Sequence, residues 1–212
     1  MESEGLKLIY PNKTSSLVIG MQNGYCSQGY GLPKLLNLDT TPIDEMIPKL
    51  KEFIGEARRN NVPVIWTRMV EDPEDKNTPE NIRFKMKSEE TPAITVLGKP
   101  SFEYYGIKPK EGDKQFVNYQ YDAFSNTNLQ KHLQDNVIES LILTGVYTSR
   151  GVDSTMRSAF EKGYHCILPE DLVAVPKQLK KEHEATLSAC QAIFGYVVKS
   201  NNIIHVWENI GR

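Results

Sequence analysis

Residues 138–164, IESLILTGVYTSRGVDSTMRSAFEKGY, constrain the fold more than any other stretch of the chain. The segment opens with Ile138 and the run Leu141-Ile142-Leu143, too short for a helix and closed by Thr144-Gly145. Such a run reads as a buried strand of a parallel sheet. Thr148 or Ser149 then offers an N-cap, Val152, Thr155, Met156, Ala159 and Phe160 recur at helical spacing, and Gly163 supplies the stop. An open α/β sheet presents a helix N-terminus to its ligand through just such a strand, loop and helix. Residues 145–151 are therefore expected to form one wall of any site.

The rest of the chain repeats this alternation. Residues 15–19 form a short apolar strand pattern closed by Gly20, and residues 28–38 read as loop. Thr41 as N-cap and Pro42 in the first turn start a helix whose apolar stripe is Ile43, Met46, Ile47, Leu50, Phe53, Ile54 and Ala57. Residues 62–67 give a second strand with Pro63 near its start. Residues 115–118 give a third, and Asn126 or Thr127 can cap a helix carrying Leu129, His132 and Leu133. Strands at 166–168 and 196–198 follow, separated by a long helix over 177–194 with Ala185, Ala189, Ala192 and Ile193 inward. The pattern predicts a six-stranded parallel sheet with helices on both faces, and right-handed crossovers favour strand order 3-2-1-4-5-6. Residues 70–112, rich in charge and proline, read as a solvated excursion, against the alternative of a lid with Arg83 or Lys85 reaching a substrate anion.

Three of these stretches resemble motifs of the isochorismatase-like hydrolase superfamily, which includes nicotinamidases, carbamoyl-amide hydrolases and isochorismatases. TGVYTSRGV followed by STMRSAFEKGY is similar to its signature, and in most members a nucleophilic cysteine stands at the place of Gly151. In the isochorismatase branch, which cleaves a vinyl ether without a covalent intermediate, that place is a glycine. LVIGMQNGYC resembles the first motif, with glycine at the places of its aspartates, Gly20 and Gly24. VNYQYDAFSNTNLQKHL resembles the second, with Asn118 at the place of its lysine. ARRNNVPVIWTR and the strand-terminal Asp171 extend the likeness over residues 16–198. The resemblance implies a single Rossmann-like three-layer domain spanning residues 1–212 and a homo-oligomer.

Family hydrolysis uses a cysteine thiolate as nucleophile, an aspartate that carries the proton and a lysine that favours the thiolate. With Gly151, Gly20 and Asn118 at those places, covalent thiol chemistry is not expected. Cys26, Cys166 and Cys190 read as buried structural residues. His132, His165, His183 and His205 are scattered, so neither a metal nor any other cofactor is expected. The remaining candidates around the strand ends are the ligand-binding Tyr25, Tyr119, Tyr121, Tyr147, Arg150 and Gly151, with Asp122 as a substitute acid. Loss of charge and bulk at three places is expected to leave a wider, less polar pocket. Putting aspartate, lysine and cysteine back at positions 20, 118 and 151 is expected to rebuild the family's centre.

Composition narrows the partners. A formal charge of −2 over 212 residues gives no electrostatic reason to expect nucleic acid or a membrane surface. No apolar run approaches the roughly 20 residues of a bilayer span. The N-terminus lacks an apolar signal-peptide core, and three widely spaced cysteines suit a reducing, cytoplasmic setting. The leading expectation is a member without the family's catalytic groups that binds a small molecule or a partner. The alternatives are an active cysteine-independent hydrolase or lyase and an oligomeric scaffold.

Overall fold

The structure, a computed structural model, describes residues 2–86 and 93–210. Strand β1 (Thr14–Ile19) lies at the centre of an all-parallel sheet. On one side come β2 (Val64–Met69) and β3 (Lys114–Asn118), on the other β4 (Ser140–Val146), β5 (His165–Pro169) and β7 (Tyr196–Val198), in the order β3-β2-β1-β4-β5-β7. The expected order is thus observed, with β7 as the sixth strand of the path. One strand was not expected. The two-residue β6 (Val173–Ala174) pairs with Gly145 and Val146 at the far end of β4, beyond the point where β5 stops pairing.

Side chains alternate across the strands, and each face buries its own cluster. Val18, Trp66, Ile142 and Ile167 pack against the helix Thr41–Arg59 and the C-terminal helix Ser200–Ile210. Leu17, Ile19, Leu141, Leu143 and Leu168 pack against Leu129, Leu133, Met156, Ala159 and Cys190 from the other layer of helices. The whole stripe read from Ile43 to Ala57 is buried. Its start differs slightly from expectation: Thr41 is the first helical residue, and its N–H is held at 3.0 Å by Asp39 Oδ1.

The C-terminal helix had no sequence expectation attached. Its first residue is pinned by Asp171, whose carboxylate accepts the Ser200 N–H at 2.9 Å and the Ser200 hydroxyl at 2.7 Å. Its Trp207 packs against Phe53 in a tilted arrangement, with centroids 5.4 Å apart, and donates its indole N–H to Ile9 O.

Several local expectations are corrected. The helix over 177–194 is broken into a 3₁₀ turn, an α-helix Lys180–Ala189 and a π turn Cys190–Phe194. It buries Thr186 and Cys190, whereas Ala185 and Ala192 are exposed, Ala189 is half-buried and Ile193 is 63% exposed. The extra residue of the π turn shifts the helical phase, which alanine spacing cannot reveal. Phe160, expected inward, is 42% exposed and packs edge-on against Phe194. Residues 28–38 hold a short helix, Gly31–Leu35, rather than loop alone. The excursion after β2 is not simply solvated: Ile94 and Phe102 are buried in it, and Gln22 bridges to Tyr104.

Burial sets the stability prediction. Trp207→Ala removes a buried, hydrogen-bonded ring packed against Phe53 and is expected to cost about 3–5 kcal/mol. Ile193→Ala is expected to stay within about 1 kcal/mol. Guanidinium unfolding of the two variants measures both.

Candidate functional site

At the carboxyl ends of the central strands the backbones crowd together. Ile19 stands opposite Gly145 in the β1–β4 register. A Cβ on Gly145 would lie 2.1 Å from Ile19 O, and one on Gly20 2.4 Å from Val146 O. Both glycines have positive φ, +104° and +67°, which side chains of L-residues rarely tolerate. Gly151 differs. Its φ is ordinary, and an added Cβ would meet only Ile19 Cγ2 at 3.1 Å and more distant carbonyls. Rebuilding the family's centre is therefore obstructed at position 20, where an aspartate would have to displace backbone, and open at position 151.

Gly20, Asn118 and Gly151, drawn from three separate motifs, border one cavity together with Tyr25, Tyr121, Tyr147 and Arg150. Its space for water centres is only about 20 Å³, room for one or two atoms. Three tyrosines, Tyr25, Tyr121 and Tyr147, line this small space. Tyr25 and Tyr147 meet edge to face at 6.0 Å, and the Tyr147 hydroxyl donates to Tyr25 O at 2.7 Å.

Arg150 and Tyr121 also belong to a wider cleft of about 770 Å³, the size range of small-molecule sites. Leu32, Leu36, Ile82, Met86 and Ile94 give it an apolar wall, and Glu71, Lys85, Gln120 and Asp122 face them. The excursion after β2 thus supplies much of this cleft, including Lys85. Arg83 does not line it.

Glu71 is the residue that sequence reasoning missed. It is 9% exposed and lies just past β2. The Tyr25 hydroxyl donates to its Oε2 at 2.8 Å and the Tyr121 hydroxyl to its Oε1 at 3.0 Å. Its backbone N–H reaches Thr95 Oγ1 at 3.0 Å. Burial first, and then the negative charge of Glu71, push both phenols above the ordinary tyrosine range, so they remain protonated donors. Burial raises Tyr147 in the same direction.

The other candidates separate. Asp122 reaches the cleft, but its carboxylate is engaged by the Phe124 N–H at 2.9 Å and the Ser125 hydroxyl at 3.0 Å, a turn-forming arrangement. Tyr119 lines neither space; its hydroxyl accepts from Asn77 at 3.4 Å. Thr148 and Ser149 do not cap a helix by their side chains. They open a π turn, Thr148–Val152, that is tied to the helix Lys180–Ala189 by Thr148 Oγ1 to His183 Nδ1 at 2.9 Å and the Ser149 hydroxyl to Glu182 at 2.9 Å. Among the described residues no group of three histidine, cysteine or acidic side chains is placed to hold a metal ion, and no helix is long and apolar enough to cross a membrane.

A family model for the isochorismatase domain matches residues 14–202. A ureidoacrylate amidohydrolase RutB from Methylobacterium radiotolerans is 28% identical over 88% of this chain and 76% of its own. The RutB of Enterobacter sp. is 29% identical over 88% and 86%. A cysteine hydrolase from Pseudomonas syringae superposes with a TM-score of 0.82 at 19% identity, covering 95% of both chains. Nicotinamidase PncA from Bacillus subtilis superposes at 0.71 with 21% identity, over 88% of this chain and 99% of its own. These structures share the fold.

No cysteine borders the cavity or the cleft. All three thiols are free and buried, and burial raises Cys166 and Cys190 to about 12 and Cys26 further. The thiolate forms only as pH climbs toward those values. At about pH 8 the native protein should therefore resist iodoacetamide, whereas the denatured chain takes up three adducts, read by intact mass. Rapid alkylation of one native thiol would contradict the burial described.

Proposed function

From the premise that the chain belongs to the isochorismatase family, we propose that it is a hydrolase or lyase for a small metabolite that forms no covalent thiol intermediate. Glu71 is its acid–base group. The observation that carries this reading is the buried carboxylate on the cleft wall, held by Tyr25 and Tyr121. Each carboxylate oxygen receives one phenol and keeps a further lone pair for substrate or water. In hydrolysis, Glu71 takes a proton as water attacks the substrate carbon, and passes it to the leaving group as that bond breaks. Arg150, bordering both cavity and cleft, offsets the negative charge that develops on the substrate. The phenols keep the carboxylate in place throughout. RutB relatives, named as amidohydrolases, support hydrolysis as the reaction class.

A second reading keeps its own support. Gly20, Asn118 and Gly151 place no formal charge in the inner cavity, which suits a protein that binds its ligand without transforming it. A panel of carbamoyl amides, simple amides and vinyl ethers, followed by product chromatography, separates the two. Under the first reading one class turns over and Glu71→Gln lowers the rate about 100-fold or more with little change in Tm. Iodoacetamide and chelators leave the rate unchanged. An unaltered rate in Glu71→Gln would remove Glu71 from the chemistry, and binding without turnover across the panel would favour the second reading.

A further inference from the structure

We propose that the inner cavity selects a head group that donates hydrogen bonds, such as a neutral amide or a protonated amidine, and disfavours a carboxylate. The inference rests on reading the strand-end cavity as the blind end of the ligand cleft. Its core is Asn118, which is 4% exposed at the end of β3 and borders the cavity. The Asn118 Nδ2 group donates to Gln120 O. Two oxygens in that contact would repel each other, so the amide orientation is fixed and Oδ1 is the free end. That oxygen is buried and has no partner among the described residues. A buried acceptor left alone is costly, and a donor arriving from the cleft removes the cost.

The surrounding groups are of the same polarity. Val146 O and Tyr121 O lie 3.6 and 3.8 Å from the point where a Cβ on Gly151 would stand, so carbonyl oxygens border the space that glycine leaves open. The phenol hydroxyls of Tyr25 and Tyr121 are committed to Glu71, and that of Tyr147 to Tyr25 O. Arg150 is the cationic donor; it lines both the cavity and the cleft, with its guanidinium 5.4 Å from the Tyr147 ring centroid. Asn118 Oδ1 and the two carbonyl oxygens leave the blind end to a donor. With about 20 Å³ for atom centres, that end holds a group the size of an amino group. At the position where the resembled motif has lysine, a donor, this chain presents an acceptor.

Benzamide, benzamidine and benzoate share one shape and differ in the polarity of the head group, which makes them direct probes. Binding is measured on the wild-type protein by calorimetry and by backbone amide shifts of Gly20, Asn118 and Gly151. Benzamide and benzamidine are expected to bind with shifts at those residues, and benzoate at least about 10-fold more weakly. Asn118→Ala should lower benzamide affinity and narrow the gap, and Asn118→Lys should reverse the order. Benzoate binding as well as benzamide to the wild type overturns the inference, as does a series in which no member perturbs the cavity residues. The wild-type ranking decides even if a variant fails to fold. Because the readout is equilibrium binding, it is independent of whether Glu71→Gln affects turnover.

Discussion

Everything at the strand ends depends on how closely β1 and β4 approach. Ile19 and Gly145 are register partners, and the carbonyls of Ile19 and Val146 occupy the positions that Cβ atoms on Gly145 and Gly20 would need. Only residues without a Cβ, able to adopt positive φ, let the two backbones pass at this distance. The crossing brings Gly20 beside the π turn that carries Arg150 and Gly151, while β3 delivers Asn118 from the opposite side. The cavity is what remains between these backbones.

A consequence is that negative charge sits one layer out. Backbone crowding leaves no place for a side chain at position 20, and the nearest buried carboxylate is Glu71, presented from the segment after β2. Tyr25 and Tyr121 join the two layers, since their rings border the inner cavity and their hydroxyls hold Glu71. Burial and the adjacent negative charge both oppose phenol ionisation, so the bridge keeps its polarity across the physiological range. Asn118 with its unpaired Oδ1 lines the inner cavity, Glu71 lines the cleft and Arg150 lines both, so polar groups run from one space to the other beside the apolar wall of Leu32, Leu36, Ile82, Met86 and Ile94.

Much of this could be read from sequence for a physical reason. Buried parallel strands are near-continuous apolar runs, and the helix stripe from Ile43 to Ala57 follows the 3.6 period, so both survive without tertiary information. Gly20, Asn118 and Gly151 were picked out as positions of one site through the resemblance, because they stand where its three motifs carry the catalytic groups. Glu71 was invisible because it begins an acidic, proline-containing run that looks solvated, and its burial comes from tyrosines 46 residues before and 50 residues after it in the chain. The face of the helix Lys180–Ala189 was misjudged because alanine carries little hydrophobic signal, and the buried pair Thr186 and Cys190 carries no more. The two-residue β6 lies below the length of any periodicity. The C-terminal helix did leave a signal in the spacing of Ile203 and Trp207, both buried.

The claim that backbone contact, rather than drift of an idle position, holds glycine at the end of β1 is open to one direct measurement. The unfolding free energies of Gly20→Ala and Gly151→Ala, compared in the same denaturant series, isolate it. A Cβ at position 20 meets both positive φ and a backbone carbonyl, so Gly20→Ala should lose about 2 kcal/mol or more. Gly151→Ala should remain within about 1 kcal/mol of the parent, since only one flexible side chain must yield. A Gly20→Ala protein as stable as the parent would contradict the account.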